Sequence, residues 1–353
     1  MLSLFQKVAD QYHNKLPFVV YCKPNSDAMI GVFQNDDVLH SISDFTESGF
    51  AFVSFDGSEK YLIPAKHSDV FVEKISLDAF YFPNDVTIAT NNFEKNAFEA
   101  LVEKGIKAIE NKAFDKVVLS RKETVQMSNL DIESLLNELH YNYPNAFNYC
   151  FFHPKVGMWI GATPEQFLQI ESDKIKTVAL AGTQVFSEGI QWKSKEKIEQ
   201  AFVSEFILAS LSEFCSEITI SEPFTFNAGT IVHLKSDIEA KLKSKNDLGK
   251  LIIKLHPTPA VCGFPTEKAK QFIIENEGYN RKFYSGFLGE LNIDFKTFKN
   301  EKSDLFVNLR CMDINDNKVN IYVGCGITKD SNPEMEYIET VNKSMTIRKV
   351  VDL

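Results

Sequence analysis

The stretch FVNLRCMDINDNKVNIYVGCGITKDSNPEMEYIETVNK, residues 306–343, carries the choice of fold. Up to residue 327 it crowds β-branched and aromatic residues into runs bounded by Asp, Asn and Gly, which is the composition of strands. From Pro333 it changes to a helical pattern. Glu336 and Glu339 share a helix face, and Lys343 follows Glu339 at i+4. An exposed pair of that kind contributes only about 0.3 kcal/mol. By itself the segment is most simply a solvated helix, and Glu334 fits that reading.

The same strand composition recurs at FVVYC (18–22), GFAFVSF (49–55), DKVVLSR (115–121), FNYCFFH (147–153), MWIGA (158–162) and KIKTVAL (174–180). Near the C-terminus, DLFVNLRCMDI (304–314) and NIYVGCGI (320–327) continue it. Between these runs, residues 91–114 set Phe93, Ala97, Leu101, Ile106 and Ile109 on a helical stripe. Residues 193–215 do the same with Ile198, Phe202, Phe206 and Leu208. Residues 131–141 and 267–277 predict shorter helices. Many strands with few βαβ repeats favour α+β. No Pro/Gly-rich linker or short repeat divides the chain, so one large domain over residues 1–353 is expected.

Composition narrows the function. With 44% apolar and 24% charged residues the chain can bury a large core, and a net charge of -10 argues against generic nucleic-acid binding. The N-terminal sequence does not read as a signal peptide, and no run approaches 18 uninterrupted apolar residues. The six cysteines are far apart and form no CxxC pair, which suggests neither a zinc site nor a disulfide framework. A reducing cytoplasm is the expected setting.

Several polar patterns have plain readings when taken singly. Alternation sets Lys116, Val118 and Ser120 on one strand face, as an edge-strand lysine would be. Glu165 sits in a Gly-Ala-Thr-Pro turn between apolar strands, where a carboxylate often serves only turn geometry. Ala181, Gly182 and Thr183 end a strand in small residues that let backbone N–H groups approach an anion. Glu196 and Glu199 lie on one side of a helix.

Taken in chain order, DKVVLSR, ATPEQF, LAGT, KEKIEQ, LHPTPAVCGFP, ENEGYNRKFYSGFLG, FVNLRC and YVGCGITKDSNPEMEYIETVNK resemble the chorismate-utilising enzymes. That family comprises isochorismate, salicylate, anthranilate and aminodeoxychorismate synthases. The motifs run from about residue 110 to the C-terminus, and residues 1–90 join the same domain only by continuity. The resemblance implies antiparallel sheets packed against outer helices around a Mg²⁺-dependent site. Carried over position by position, it implies Glu199 and Glu339 as the principal magnesium carboxylates, with Glu336 and Glu196 beside the ion. Such oxygen ligands suit Mg²⁺. It also implies Tyr284, Arg310, Gly324 and Gly326 at the enolpyruvyl carboxylate of chorismate. Gly182, Thr183 and Lys343 would lie near the ring carboxylate, and His256 of LHPTPAVCG would complete the substrate contacts.

Family members that use water are similar to this chain in having lysine at the position of Lys116. The resemblance implies Lys116 as general base on water entering at ring C2, and Glu165 as general acid toward the departing C4 hydroxyl. Ala181 stands where aminodeoxychorismate synthases carry a lysine, which counts against that branch. The implied activity is that of an isochorismate synthase, an isomerase. Salicylate synthase, which goes on to eliminate pyruvate, is the alternative, ahead of an aminating enzyme or a catalytically silent binder. Isochorismate feeds both menaquinone and siderophore pathways. One departure stands out: Gln200 occupies the position after the metal glutamate, where the family usually has histidine. The expected partner is chorismate alone, with no nucleic acid, membrane or obligatory protein, and a monomer is expected.

Overall fold

The computed structural model describes residues 3–75, 92–127, 130–185, 187, 189–228, 231–315 and 317–351. Among these residues every strand pairing is antiparallel. The described strands form one sheet of nine, a second of ten with nine on its main path, and a separate pair. Val19, Tyr21, Phe147, Phe151 and Trp159 of the first sheet meet Phe50, Phe52, Leu288 and Phe306 of the second in one buried cluster. Strand alternation gives each sheet one face for that cluster and another for helices.

Helices Ser194–Phe214 and Leu248–Leu255 cover the second sheet through Val203, Ile207, Leu211, Leu251 and Ile252. Helices Leu4–His13 and Ile132–Asn142 and the C-terminal part of Pro333–Val351 cover the first. Helix Asn92–Glu110 packs against strands Lys116–Gln126 and Lys318–Ile327. The result is an α+β arrangement of two sheets between outer helices, as expected.

The run DLFVNLRCMDI is not one strand. Lys302–Val307 belongs to the second sheet and Cys311–Asn315 to the first, so Asn308–Arg310 carries the chain from one to the other. Gly157–Thr163 and Gln166–Glu171 are divided in the same way, with Pro164 and Glu165 between them. The strands of the Asn308–Arg310 crossing are largely buried, so composition leaves little signal to mark that bend, whereas Thr-Pro-Glu marks the other. The two crossings are bonded to each other. Val307 N–H donates to Glu165 O at 3.0 Å, and Thr163 Oγ1 donates to Val307 O at 2.5 Å.

Both helical stripes are rotated from the expected ones. In Asn92–Glu110 the buried positions are Phe98, Val102, Gly105 and Ile109, while Phe93 is 80% exposed. In Ser194–Phe214 the inward positions are Glu199, Val203, Ile207 and Leu211, and Ile198 faces out. Apolar residues on more than one face made the stripe ambiguous, and packing on the sheet decided it. Lys116 is not an edge lysine either. Its strand pairs with Gly263–Phe264 on one side and Lys318–Ile327 on the other.

Phe52 stacks on Phe151 at 4.3 Å and on Phe283 at 4.2 Å between centroids. Phe52→Ala should therefore cost about 3–5 kcal/mol of stability in urea unfolding. A loss below about 1 kcal/mol would mean that this inter-sheet core closes around the gap.

Candidate active site

A cavity opens where the two crossings, the Lys116 strand and the helices carrying Glu199 and Glu339 converge. The Lys116 strand supplies its floor. Lys116 is 3% exposed, and among the described residues its ammonium makes no hydrogen bond or ion pair. Beside it, strand Lys318–Ile327 presents Gly326 opposite Val118. A Cβ on Gly326 would stand 3.1 Å from Lys116 Cε and 3.6 Å from Glu199 Oε1, so the missing side chain leaves the lysine and the glutamate facing one space. Gly324 does the same for Tyr284, whose hydroxyl would lie 2.9 Å from an added Cβ.

The four helix glutamates also line the cavity. Glu199 and Glu336 are buried, Glu339 is half-exposed, and Glu196 Oε2 is shut from solvent without a hydrogen-bond partner. Lys343 Nζ pairs with Glu339 Oε1 at 2.6 Å and donates to Gly324 O at 3.0 Å. It therefore makes the simple helix pair and faces the cavity as well. Among the described residues no three acidic, His or Cys groups form a ready-made metal cage.

Glu165 enters at the first crossing. Burial pushes its carboxyl up to about 7, against the opposing pull of Lys116, Lys343 and Arg310. It thus shares its proton with solvent near neutrality. Arg310 enters at the second crossing with a left-handed backbone, φ 48°. Its guanidinium lines the cavity together with Tyr284, whose ring stacks on Tyr322 at 5.6 Å.

Gly182 sits at a bulge in the pairing of Lys174–Val185 with Ile231–Leu242, at φ +72°. A Cβ there would come 2.8 Å from Glu196 Cβ, so glycine lets the glutamate helix close on the strand. Thr183 follows in the strand opposite His233, and its side chain lies outside the described part. His233 was not foreseen. Its Nδ1–H donates to Gly182 O at 3.1 Å, and burial lowers its pKa to about 4, so the ring is neutral. The only sequence signal was a polar residue at an ordinary strand position. Phe226, Ser285 and Tyr322, also unforeseen, line the same cavity.

His256 does not line it. Its Nε2–H donates to Ser54 O at 2.9 Å, and its ring packs edge-on against Phe167 and Phe287. Burial lowers this histidine to about 4 as well, which makes it a neutral packing group rather than the expected substrate contact. Gln200, the departure from the family pattern, is buried and donates to Ser204 Oγ and Ser236 Oγ. It ties the Glu199 helix to strand Ile231–Leu242.

A family model described as chorismate binding enzyme matches residues 65–352. The chain belongs to the chorismate-binding enzyme family. An isochorismate synthase from Catharanthus roseus chloroplasts is 29% identical over 276 residues, which cover 74% of this chain and 46% of that protein. The match thus spans less than half of that chloroplastic relative. The isochorismate synthase EntC of Escherichia coli strain K12 is 28% identical over 272 residues, 74% of this chain and 68% of EntC. Among solved structures, E. coli MenF, a menaquinone-specific isochorismate synthase, superposes with a TM-score of 0.78 at 21% identity, covering 95% of this chain and 88% of MenF. The chorismate-binding fold is therefore shared across nearly the whole chain. No helix among the described residues is long and apolar enough to cross a membrane.

The raised Glu165 carboxyl has a sign in stability. The fold binds this proton more tightly than the unfolded chain does, so its contribution is whole below about pH 4.5 and is lost as pH rises to about 7. Allowing for partial exposure, Glu165→Gln should be more stable than wild type by roughly 2 kcal/mol at about pH 8, with the gap narrowing toward about pH 5. Urea unfolding at both pH values measures it. A pH-independent difference would show that Glu165 titrates normally.

Proposed function

We propose that the protein is a Mg²⁺-dependent isochorismate synthase that interconverts chorismate and isochorismate. One observation carries this reading. A buried lysine without a hydrogen-bond or ion-pair partner and a carboxyl that burial pushes up to about 7 line the same cavity, the pair that hydration at one ring carbon and dehydration at another requires. The isochorismate synthases among the relatives support it.

In this mechanism Lys116, as the free amine, takes a proton from water as its oxygen bonds to ring C2. Glu165 gives its proton to the C4 hydroxyl, which leaves as water while the ring double bonds shift. One water enters and one departs, so the reaction is an isomerisation and runs either way. Glu165 meets the demand of its role because burial keeps it protonated up to about pH 7. The expected profile of kcat/KM accordingly falls as pH rises through about 7.

The enolpyruvyl carboxylate goes to Arg310 and Tyr284, where a planar guanidinium can donate two parallel hydrogen bonds. Gly324 and Gly326 leave room for it. The ring carboxylate lies toward Lys343 and the Gly182–Thr183 turn. With Glu165 neutral, four carboxylates still outnumber the basic groups Lys116, Lys343 and Arg310 around a dianionic substrate. The orphaned Glu196 oxygen and an all-oxygen donor set fit a hard cation, and Mg²⁺ is commonly held by one or two carboxylates with waters and substrate. Glu199 and Glu339 would hold it, with Glu196 and Glu336 beside them. When bound, the ion reverses the local charge so that a carboxylate can approach.

Incubating the protein with chorismate and Mg²⁺ and separating the products should give isochorismate. Salicylate with pyruvate would assign the lyase instead, and anthranilate formed only with ammonia would assign the aminating branch. Lys116→Ala should lower kcat by about 10²–10⁴-fold. Wild-type turnover in that variant would remove Lys116 as the base. Glu199→Ala should move the Mg²⁺ activation midpoint upward, whereas an unchanged titration would take Glu199 out of the metal shell.

A further inference from the structure

Asn308 makes no contact with the cavity, yet it is fully buried at the second crossing. Its four polar groups all go to parts that frame the site. The backbone N–H donates to Gly286 O at 2.8 Å, and the backbone carbonyl accepts from Ser285 N–H at 2.8 Å. The side-chain Nδ2 donates to Phe283 O at 3.0 Å. Oδ1 accepts from Tyr149 Oη at 2.6 Å. A carbonyl can only accept, so the contact with Phe283 O fixes which end of the amide is which.

These bonds bracket Tyr284 on both sides, at residues 283, 285 and 286, from a point two residues before Arg310. The two turns they join are both strained. Ser285 has φ 62° and Arg310 has φ 48°, a region that side chains other than glycine seldom occupy. Arg310 is held from its other side as well, its carbonyl accepting from Ala162 N–H at 3.0 Å. Tyr149, the hydroxyl donor to Oδ1, is buried on strand Phe147–His153 of the first sheet.

We propose that Asn308 is a positioning residue for substrate binding, setting the distance and angle between Arg310 and Tyr284 so that they grip one carboxylate together. This rests on the reading of the cavity as a chorismate site. A bidentate guanidinium–carboxylate pair depends on orientation, so a small drift of one turn against the other loses a bond. The enolpyruvyl carboxylate takes no part in the bonds made at C2 and broken at C4, so its grip is the same in the ground state and the transition state. Weakening such an interaction raises KM and leaves kcat in place.

In Asn308→Ala, the Phe283 carbonyl and the Tyr149 hydroxyl lose their partner, while the backbone bonds and every cavity side chain remain. KM for chorismate, and its Kd by calorimetry in the presence of Mg²⁺, should both rise about tenfold, the equivalent of the two net hydrogen bonds lost. The kcat and the Mg²⁺ midpoint should stay within about twofold of wild type. Unchanged KM and Kd would overturn the proposal. A parallel loss in kcat and in the Mg²⁺ midpoint would also overturn it, because the residue would then support the whole fold. Tyr149→Phe removes only the bond to Oδ1 and serves if the alanine variant does not fold. It should raise KM about threefold, on the scale of a single hydrogen bond, and an unchanged KM in it would likewise count against Asn308. A wild-type protein that neither binds nor converts chorismate would sink the functional reading instead, before any variant is compared.

Discussion

The hydrogen bonds between the two crossings, from Val307 N–H to Glu165 O and from Thr163 Oγ1 to Val307 O, fix how the two sheets meet. The site depends on that registration. Glu199 comes from a helix lying on the second sheet, and Glu339 from a helix whose far end lies on the first. Lys116 stands on a strand of the first sheet, and the Gly182 bulge on a strand of the second. A slip of one sheet over the other would part these groups without breaking any helix. Registration is also reinforced by stacked aromatics such as Phe52, Phe151 and Phe283, whose shapes admit little sliding.

Such a site is bought with stability. Lys116 is held out of water without a hydrogen bond or ion pair, and Glu196 keeps an oxygen with no donor. Other buried charges are paired. Arg281 meets Glu277 and also donates to the carbonyls of Val118 and Val261, and Lys23 is ringed by Glu290, Asp294 and Asp304. The contrast marks the cavity as the place where incomplete pairing is kept for a ligand to complete.

Much of this was legible in the chain. Strand residues such as FVVYC and FNYCFFH matched their observed bounds, with Pro17 directly before the first and Pro154 directly after the second. The glutamates, Lys116, Glu165, Arg310 and Tyr284 were legible through ordered motifs, and the structure brings them to one cavity. What could not be read was three-dimensional. Nothing in FVNLRC distinguishes a continuous strand from two strands in different sheets, since every residue around the bend is compatible with burial. Helix faces at Phe93 and Ile198 were misjudged because apolar residues flank both sides. His256 was expected at the substrate through the resemblance of LHPTPAVCG; its ring packs against Phe167 and Phe287 instead. Asn308 gave no signal because its partners at 149, 283, 285 and 286 are far away in the chain.

The pairing of strand Lys116–Gln126 with Lys318–Ile327 joins residues about two hundred positions apart. Strand Phe18–Cys22 lies between Ala28–Gln34 and Phe147–His153 in the first sheet, and Pro333–Val351 brings two of the glutamates later than any of these strands. During synthesis, then, a ribosome-bound chain holds most of its apolar strands before the partner of the Lys116 strand has emerged. Folding dominated by such distant pairings is slow and leaves unsatisfied edges in the meantime. Because the site needs residues from this helix as well as from strands made long before it, a growing chain that lacks the helix has none of the site's chemistry.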